Sequence, residues 1–338
     1  MQVGKASIRF EQPPVIVSAA CVAGKKEGEG PLGSVFDVVG EDPLFGADNW
    51  EQAESAMQKQ AAELALNKRG IDKNEIRYLF AGDLLGQLIA TSFGIMDLEV
   101  PLFGLYGACS TMGEALCLGA MTAHAGYGDL VMAVASSHFA TAEKQFRFPL
   151  EYGNQRPFSA QWTVTGAGAV ILARESDKGM AQVSGITTGR IVDMGSRDAM
   201  NMGAAMAPAA VHTILQNFRD MGVEEAYYDR IITGDLGIIG RKILLDMMKE
   251  EGHDLERIHM DCGIEIFEAE SQDTHAGGSG CGCAAVTLCA MILPKLQTGV
   301  WKRVLFVPTG ALLSTVSFNE GESIPGIAHA VMLEHRNG

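Results

Sequence analysis

Cys109 lies in the stretch "YGACSTMGEAL" (106–116), where a strand-and-turn pattern gives way to a helical one. A thiol at a helix start meets unpaired backbone N–H groups and the positive end of the helix dipole, and both favour thiolate. The chemistry such a placement offers is nucleophilic. A second concentration of reactive types is His275, Cys281 and Cys283 in "THAGGSGCGC". Cys-x-Cys beside a histidine suggests a metal, but no second close pair of the kind structural zinc sites use accompanies it, so no metal is expected. The methionines at 194, 200, 202 and 206 either line an adaptable groove or fill a core or subunit interface. Cys117, Cys262 and Cys289 read as small buried hydrophobes.

The elements that must position these groups follow from spacing. Ala115, Leu116, Leu118, Gly119 and Met121 predict one buried helical face after Cys109, with Gly126 as the stop. A helix over 51–69 starts from an Asp48/Asn49 cap, carries Ala53, Met57, Ala61 and Leu64 on one stripe, and ends at Gly70. Another, over 208–221, takes Pro208 as a first-turn residue and ends at Gly222. "VIVSAACVAG" reads as a first strand rather than a signal peptide, because Glu11, Gln12 and two prolines interrupt the basic start.

The chain also rhymes with itself. "EIRYLFAGDLLG" (75–86) is answered by "YDRIITGDLG" (228–237), and "GACSTMGEALCLGAM" (107–121) by "GGSGCGCAAVTLCAM" (277–291). "GDLVMAVASS" (128–137) is answered by "RVLFVPTGA" (303–311), and "GAGAVILARE" (166–175) by "GIAHAVMLEH" (326–335). Four matches in one order predict two α/β halves, 1–178 and 179–338, each a sheet with crossover helices. The strands are continuous apolar runs, as strands covered on both faces are. The helices that open at "YGACS" and "THAGGSG" are then a shared central pair whose N-termini face each other.

Composition narrows the partners. A net charge of −15 over 338 residues argues against nucleic acid and against an anionic lipid surface. Seven cysteines, an odd number without paired rhythm, read as reduced thiols inside a cell. The best apolar run, "AAVTLCAMIL" (284–293), is shorter than the roughly 18 residues a membrane span needs.

A cysteine at a central helix start inside a duplicated α/β chain resembles the thiolase-like superfamily of thiolases and ketoacyl synthases. The wording of "TGAGAVILARE", "MGAAMAPAA" and "PTGALLSTVSFNEGESIPGIAHAVMLEH" is similar to the stage V sporulation protein AD family of spore-forming bacteria, across essentially the whole chain. The resemblance implies a five-layered α/β/α/β/α sandwich and a part in dipicolinic acid (pyridine-2,6-dicarboxylate) uptake into the developing spore. It further implies SpoVA membrane proteins as partners, a place on the cytoplasmic side of the spore inner membrane reached through them, and a homodimer. No cofactor is implied, apart from calcium carried with the dipicolinate.

Condensing enzymes of that superfamily set two further groups beside the cysteine. The resemblance maps the first onto "ITGDLG", where Asp235 replaces the usual histidine, and the second onto His275, with Ser279 as the choice of a looser alignment. An ionised Asp235 cannot donate to an enolate oxygen and would raise the thiol pKa. Ser323 falls near the position of the second cysteine of degradative thiolases. The reading is therefore an inherited pocket that binds rather than reacts, with Cys109, His275 and Asp235 as catalytic relics. The alternative is an acyl-CoA-dependent acyltransferase or condensing enzyme with Cys109 as nucleophile and His275 as base. Asp235 could equally be a turn residue, as Asp83 is in the sister "GDL". A flat dianion would need basic groups and an apolar slot. The segment 143–162 interleaves Lys144, Arg147 and Arg156 with aromatics, and Arg197 adds a fourth cation. For each of these the ordinary alternative is a surface ion pair.

Overall fold

The computed structural model describes residues 1–146 and 155–336. The principal strands of the first half are β1 (Val15–Ala23), β2 (Tyr78–Gly82), β3 (Leu102–Gly104), β4 (Leu130–Ser137) and β5 (Gly166–Ala173). Those of the second are β6 (Ala181–Thr187), β7 (Arg230–Thr233), β8 (His259–Asp261), β9 (Arg303–Val307) and β10 (Ala330–Glu334). They lie side by side in the order β8-β7-β9-β10-β6-β1-β5-β4-β2-β3. Inward from either end the pairing is parallel, parallel, antiparallel, antiparallel. The two sets meet where β1 pairs antiparallel with β6, at Ile16–Ala181 and Val15–Gln182. The sequence rhymes fall on β2 and β7, β4 and β9, and β5 and β10.

Alternation along the strands sorts side chains to two faces. Phe80, Val131, Val170, Ile232, Val304 and Phe306 point to one central core, shared with α2 (Thr111–His124) and α5 (Cys281–Thr287). Leu79, Met132 and Ile171 face the other way, onto α1 (Trp50–Asn67). Ile231, Leu305 and Met332 face α3 (Met202–Met221) and α4 (Gly237–Glu250). Three apolar clusters, the central one covering both flanks of the inner helices, fit an α/β/α/β/α sandwich. Each fully buried Leu, Ile or Phe in these layers contributes roughly 2 kcal/mol.

Local signals explain most helix ends. Asn49 caps α1 by accepting from the Gln52 N–H at 2.9 Å, and Gly222 closes α3 in the left-handed region at φ +65°. Two expectations change. The helix predicted to begin at Pro208 begins at Met202, capped by Asn201, with Pro208 inside it and buried. Asn201 sets that earlier start by accepting the Ala204 N–H at 3.3 Å, and bare Gly203 lets α3 pack on Gly240 of α4 more closely than a Cβ would allow. Helix α2 is buried on more than one side, since sheets lie on both of its flanks, and Met121 is the exposed exception.

Candidate functional site

The turn that carries Cys109 is shaped from two directions. Ala108 adopts φ +50°, a left-handed conformation costly for a residue with a Cβ. Residues Ala108–Ser110 then form a 3-10 turn before α2, with the Ser110 hydroxyl donating to the Gly107 carbonyl at 2.7 Å. Gly310 packs directly on this turn: a Cβ there would stand 2.6 Å from the Gly107 oxygen. Opposite, the pair Gly278–Ser279 runs parallel to Trp162–Thr163 and leads through Gly280 into α5. The two helix starts therefore face one cavity, of about 620 Å³, with Cys109, Asp235, Ser279 and Gly280 on its wall.

Asp235 is fully buried at the centre of this arrangement. Its Oδ2 accepts the Gly280 N–H at 2.9 Å, and its Oδ1 accepts the Thr309 hydroxyl at 2.8 Å. Gln161 holds the turn by donating to the Asp235 carbonyl at 2.6 Å and to the Gly278 carbonyl at 3.0 Å. Behind it, Asp261 accepts from the Leu236 and Gly237 N–H groups at 2.8 and 2.9 Å and from the Thr233 hydroxyl at 2.6 Å. Burial pushes the Asp235 carboxyl up to about 7, although the Gly280 N–H, the Cys109 thiol and the Thr309 hydroxyl all oppose the shift. The thiol of Cys109 is in turn held well above its usual range, first by burial and then by the Asp235 charge.

The helix start alone favours thiolate, and here it loses to desolvation and a neighbouring carboxylate. Burial and the neighbouring Asp235 carboxylate both disfavour thiolate at Cys109.

Other expected site residues are deployed elsewhere. His275 is not among the cavity-lining residues: its Nδ1 meets the Pro157 carbonyl at 2.8 Å and its Nε2 meets Asp273 Oδ1 at 3.1 Å. Left-handed backbone at Asp273 and at His275 itself sets that orientation. Arg156 is tied to the same Asp273 at 2.6 Å and stacks over Trp162, and Lys144 is paired with Glu51 at 2.5 Å. Arg197 is exposed and away from the cavity wall. Arg147 lies outside the described residues. Ser323 donates to Asp193 at 2.5 Å on the surface. Cys281 and Cys283 turn apart, to the Ser136 and Gly234 carbonyls.

The wall is mostly apolar, built in part from Phe146, Met200, Met202, Leu312, Leu313 and Phe318. Two of the four flagged methionines contribute, while Met206 is buried in the second half's outer core and Met194 is exposed. Leu312, Leu313 and Phe318 were not foreseen, because their contact with the cavity depends on the fold-back at Thr309–Ala311 onto Gly326–Ala328.

The model for stage V sporulation protein AD matches residues 4–334. The chain belongs to that family. A Bacillus subtilis (strain 168) protein described as stage V sporulation protein AD is 41% identical over 335 residues, 99% of this chain and 98% of its own. The family is thus one of sporulation proteins. Its fold is thiolase-like: 3-oxoacyl-(acyl carrier protein) synthase III from Xanthomonas oryzae pv. oryzae superposes with a TM-score of 0.58 at 17% identity, covering 97% of this chain and 100% of that one. A single-residue variant of OleA from Xanthomonas campestris gives 0.59 at 15% identity, covering 97% and 99%. At such identities the likeness is one of architecture. Among the described residues no helix is long and apolar enough to cross a membrane.

Proposed function

We propose that this member of the stage V sporulation protein AD family is a ligand-binding protein that holds dipicolinic acid, free or as its calcium chelate, in the cavity between the two helix starts, and so serves dipicolinate uptake into the spore. The observation that carries the reading is the Asp235–Cys109 pair. A carboxylate beside the thiol disfavours thiolate, while the cavity stays open at about 620 Å³, within the range of roughly 300–1,000 Å³ common to small-molecule sites. Its apolar wall suits a flat ring. No Lys or Arg among the described residues lines this wall, so the ligand's own charge is best met when Asp235 carries a proton or when calcium accompanies the dianion.

Recruitment to the spore inner membrane through SpoVA membrane proteins belongs to the same proposal. So does a homodimer, supported by exposed Leu102 and Phe103 on the edge strand β3 and by exposed Phe93, Met96 and Tyr106 on flanking segments. Calorimetry with dipicolinate, with and without calcium, tests the reading. Heat above that of a benzoate control, retained in Cys109→Ser, is expected. No such heat removes its support, and a stable acyl adduct on Cys109 after incubation with acyl-CoA, seen by intact mass, would replace it with acyl transfer.

A further inference from the structure

A second cavity, of about 580 Å³, opens on the seam where β1 meets β6. Lys68 and Arg69, just past α1, reach it from the first half. Lys178, in the connection between the halves, reaches it as well, and Arg336, after β10, reaches it from the second. Asp177 is the one carboxylate on its described wall. Four cations gathered at one concavity run against the grain of a chain with net charge −15.

Their commitments are few. Lys68 is paired with Asp37 at 2.6 Å and donates to the Ala19 carbonyl at 2.8 Å. Arg69 gives one long bond, 3.3 Å, to the Lys178 carbonyl. Among the described residues, Arg69, Lys178 and Arg336 have no ion pair, and the Arg336 Nη1 is buried without an acceptor. A buried guanidinium N–H left unpaired costs about 1–3 kcal/mol, so its position on a cavity wall points to an acceptor supplied from solution. Among the described residues, setting Asp37 and Asp177 against the four cations leaves two positive charges to be met.

We propose that the seam cavity binds a small free dianion, a doubly charged phosphate or dicarboxylate, clamped between Lys68, Arg69 and Lys178 of the first half and Arg336 of the second. The site is independent of the Asp235 cavity and does not rest on what that cavity holds. Because the ligand touches both halves, its binding stabilises their junction by mass action.

The test is calorimetry and thermal unfolding of the full chain with inorganic phosphate at about pH 8, where it is mostly the dianion, against chloride at matched ionic strength. One site is expected. Arg336→Met and Arg69→Ser should each weaken it about tenfold or more, with Lys249→Gln, a surface charge on α4, leaving it unchanged. The phosphate-induced rise in midpoint should shrink in the same two variants, each measured against its own ligand-free midpoint, so that a less stable variant remains informative. Dipicolinate heat that falls in these variants would extend the site to dicarboxylates. Absence of both heat and midpoint rise in the unaltered protein overturns the proposal, as does binding indifferent to both substitutions. Phosphatidylglycerol vesicles that capture the protein through Arg336 while phosphate gives no heat would overturn it in favour of a lipid headgroup.

Discussion

The two Gly-Asp-Leu turns begin alike and end in different occupations. Asp83, after β2, closes on its own half: it accepts the Leu85 and Thr91 N–H groups, both at 2.7 Å, and the Thr91 hydroxyl at 2.6 Å. Asp235, after β7, reaches outside its turn, to the N–H that opens α5 and to Thr309 past β9. Asp83 is a structural knot, whereas Asp235 is part of a cavity wall. The two turns are alike, and the loop that follows each decides the work of its carboxylate.

That contrast should appear first in stability. Asp83→Ala strands three buried donors and should cost about 4–5 kcal/mol by urea unfolding, while Asp235→Ala, whose donors border a cavity that water can enter, should cost markedly less. Equal losses would erase the distinction. Next comes pH. The folded-state pKa of Asp235 is raised, so its protonated form is the stabilising one: the contribution is complete below the ordinary carboxylate range and is lost as pH climbs to about 7 and beyond. Glu27, buried and also pushed up to about 7, acts in the same direction. Between about pH 5 and pH 8, Asp235→Asn should therefore reduce the fall in unfolding free energy by about 3 kcal/mol, and an unchanged fall would contradict the assigned environment.

Smaller effects sharpen the pairing of acid and thiol. Removing the Asp235 charge in Asp235→Asn should lower the Cys109 pKa and speed iodoacetamide alkylation at about neutral pH roughly tenfold, with burial still holding the thiol above its usual range. A rate unchanged would mean the carboxylate is not what restrains the sulfur. Last, Cys109→Ser keeps a donor toward Asp235 and should alter dipicolinate affinity by less than about threefold. A loss beyond about tenfold would give the sulfur a role that hydrogen bonding does not cover.

Much of this architecture was legible because it is written locally and written twice. Apolar strand runs and the four internal rhymes placed β2, β4 and β5 against β7, β9 and β10, and Asn49, Gly126 and Gly222 marked helix ends where expected. The position of Asp235 opposite Cys109 came from the resemblance, not from spacing. What escaped was set by distant backbone. His275 faces outward because Asp273 and Pro157 hold it, and Arg156 is spent on that same aspartate. Glu54 and Gln58 sit on the buried face of α1, where Ser136 and Thr141 on β4 and beyond it supply partners more than seventy residues away. No periodicity in α1 announces those polar groups.

Ala108 shows what such remote control implies. Its left-handed backbone is disfavoured locally, and Gly310, some two hundred residues later, presses on the turn it helps to form. The sulfur's address is therefore written by the far half of the chain. A first half released during synthesis, before Gly310 exists, has no mould for that corner, and Ala108 is free to relax into an ordinary right-handed turn. The corner that carries the sulfur is thus completed only when the segment around Gly310 packs against it.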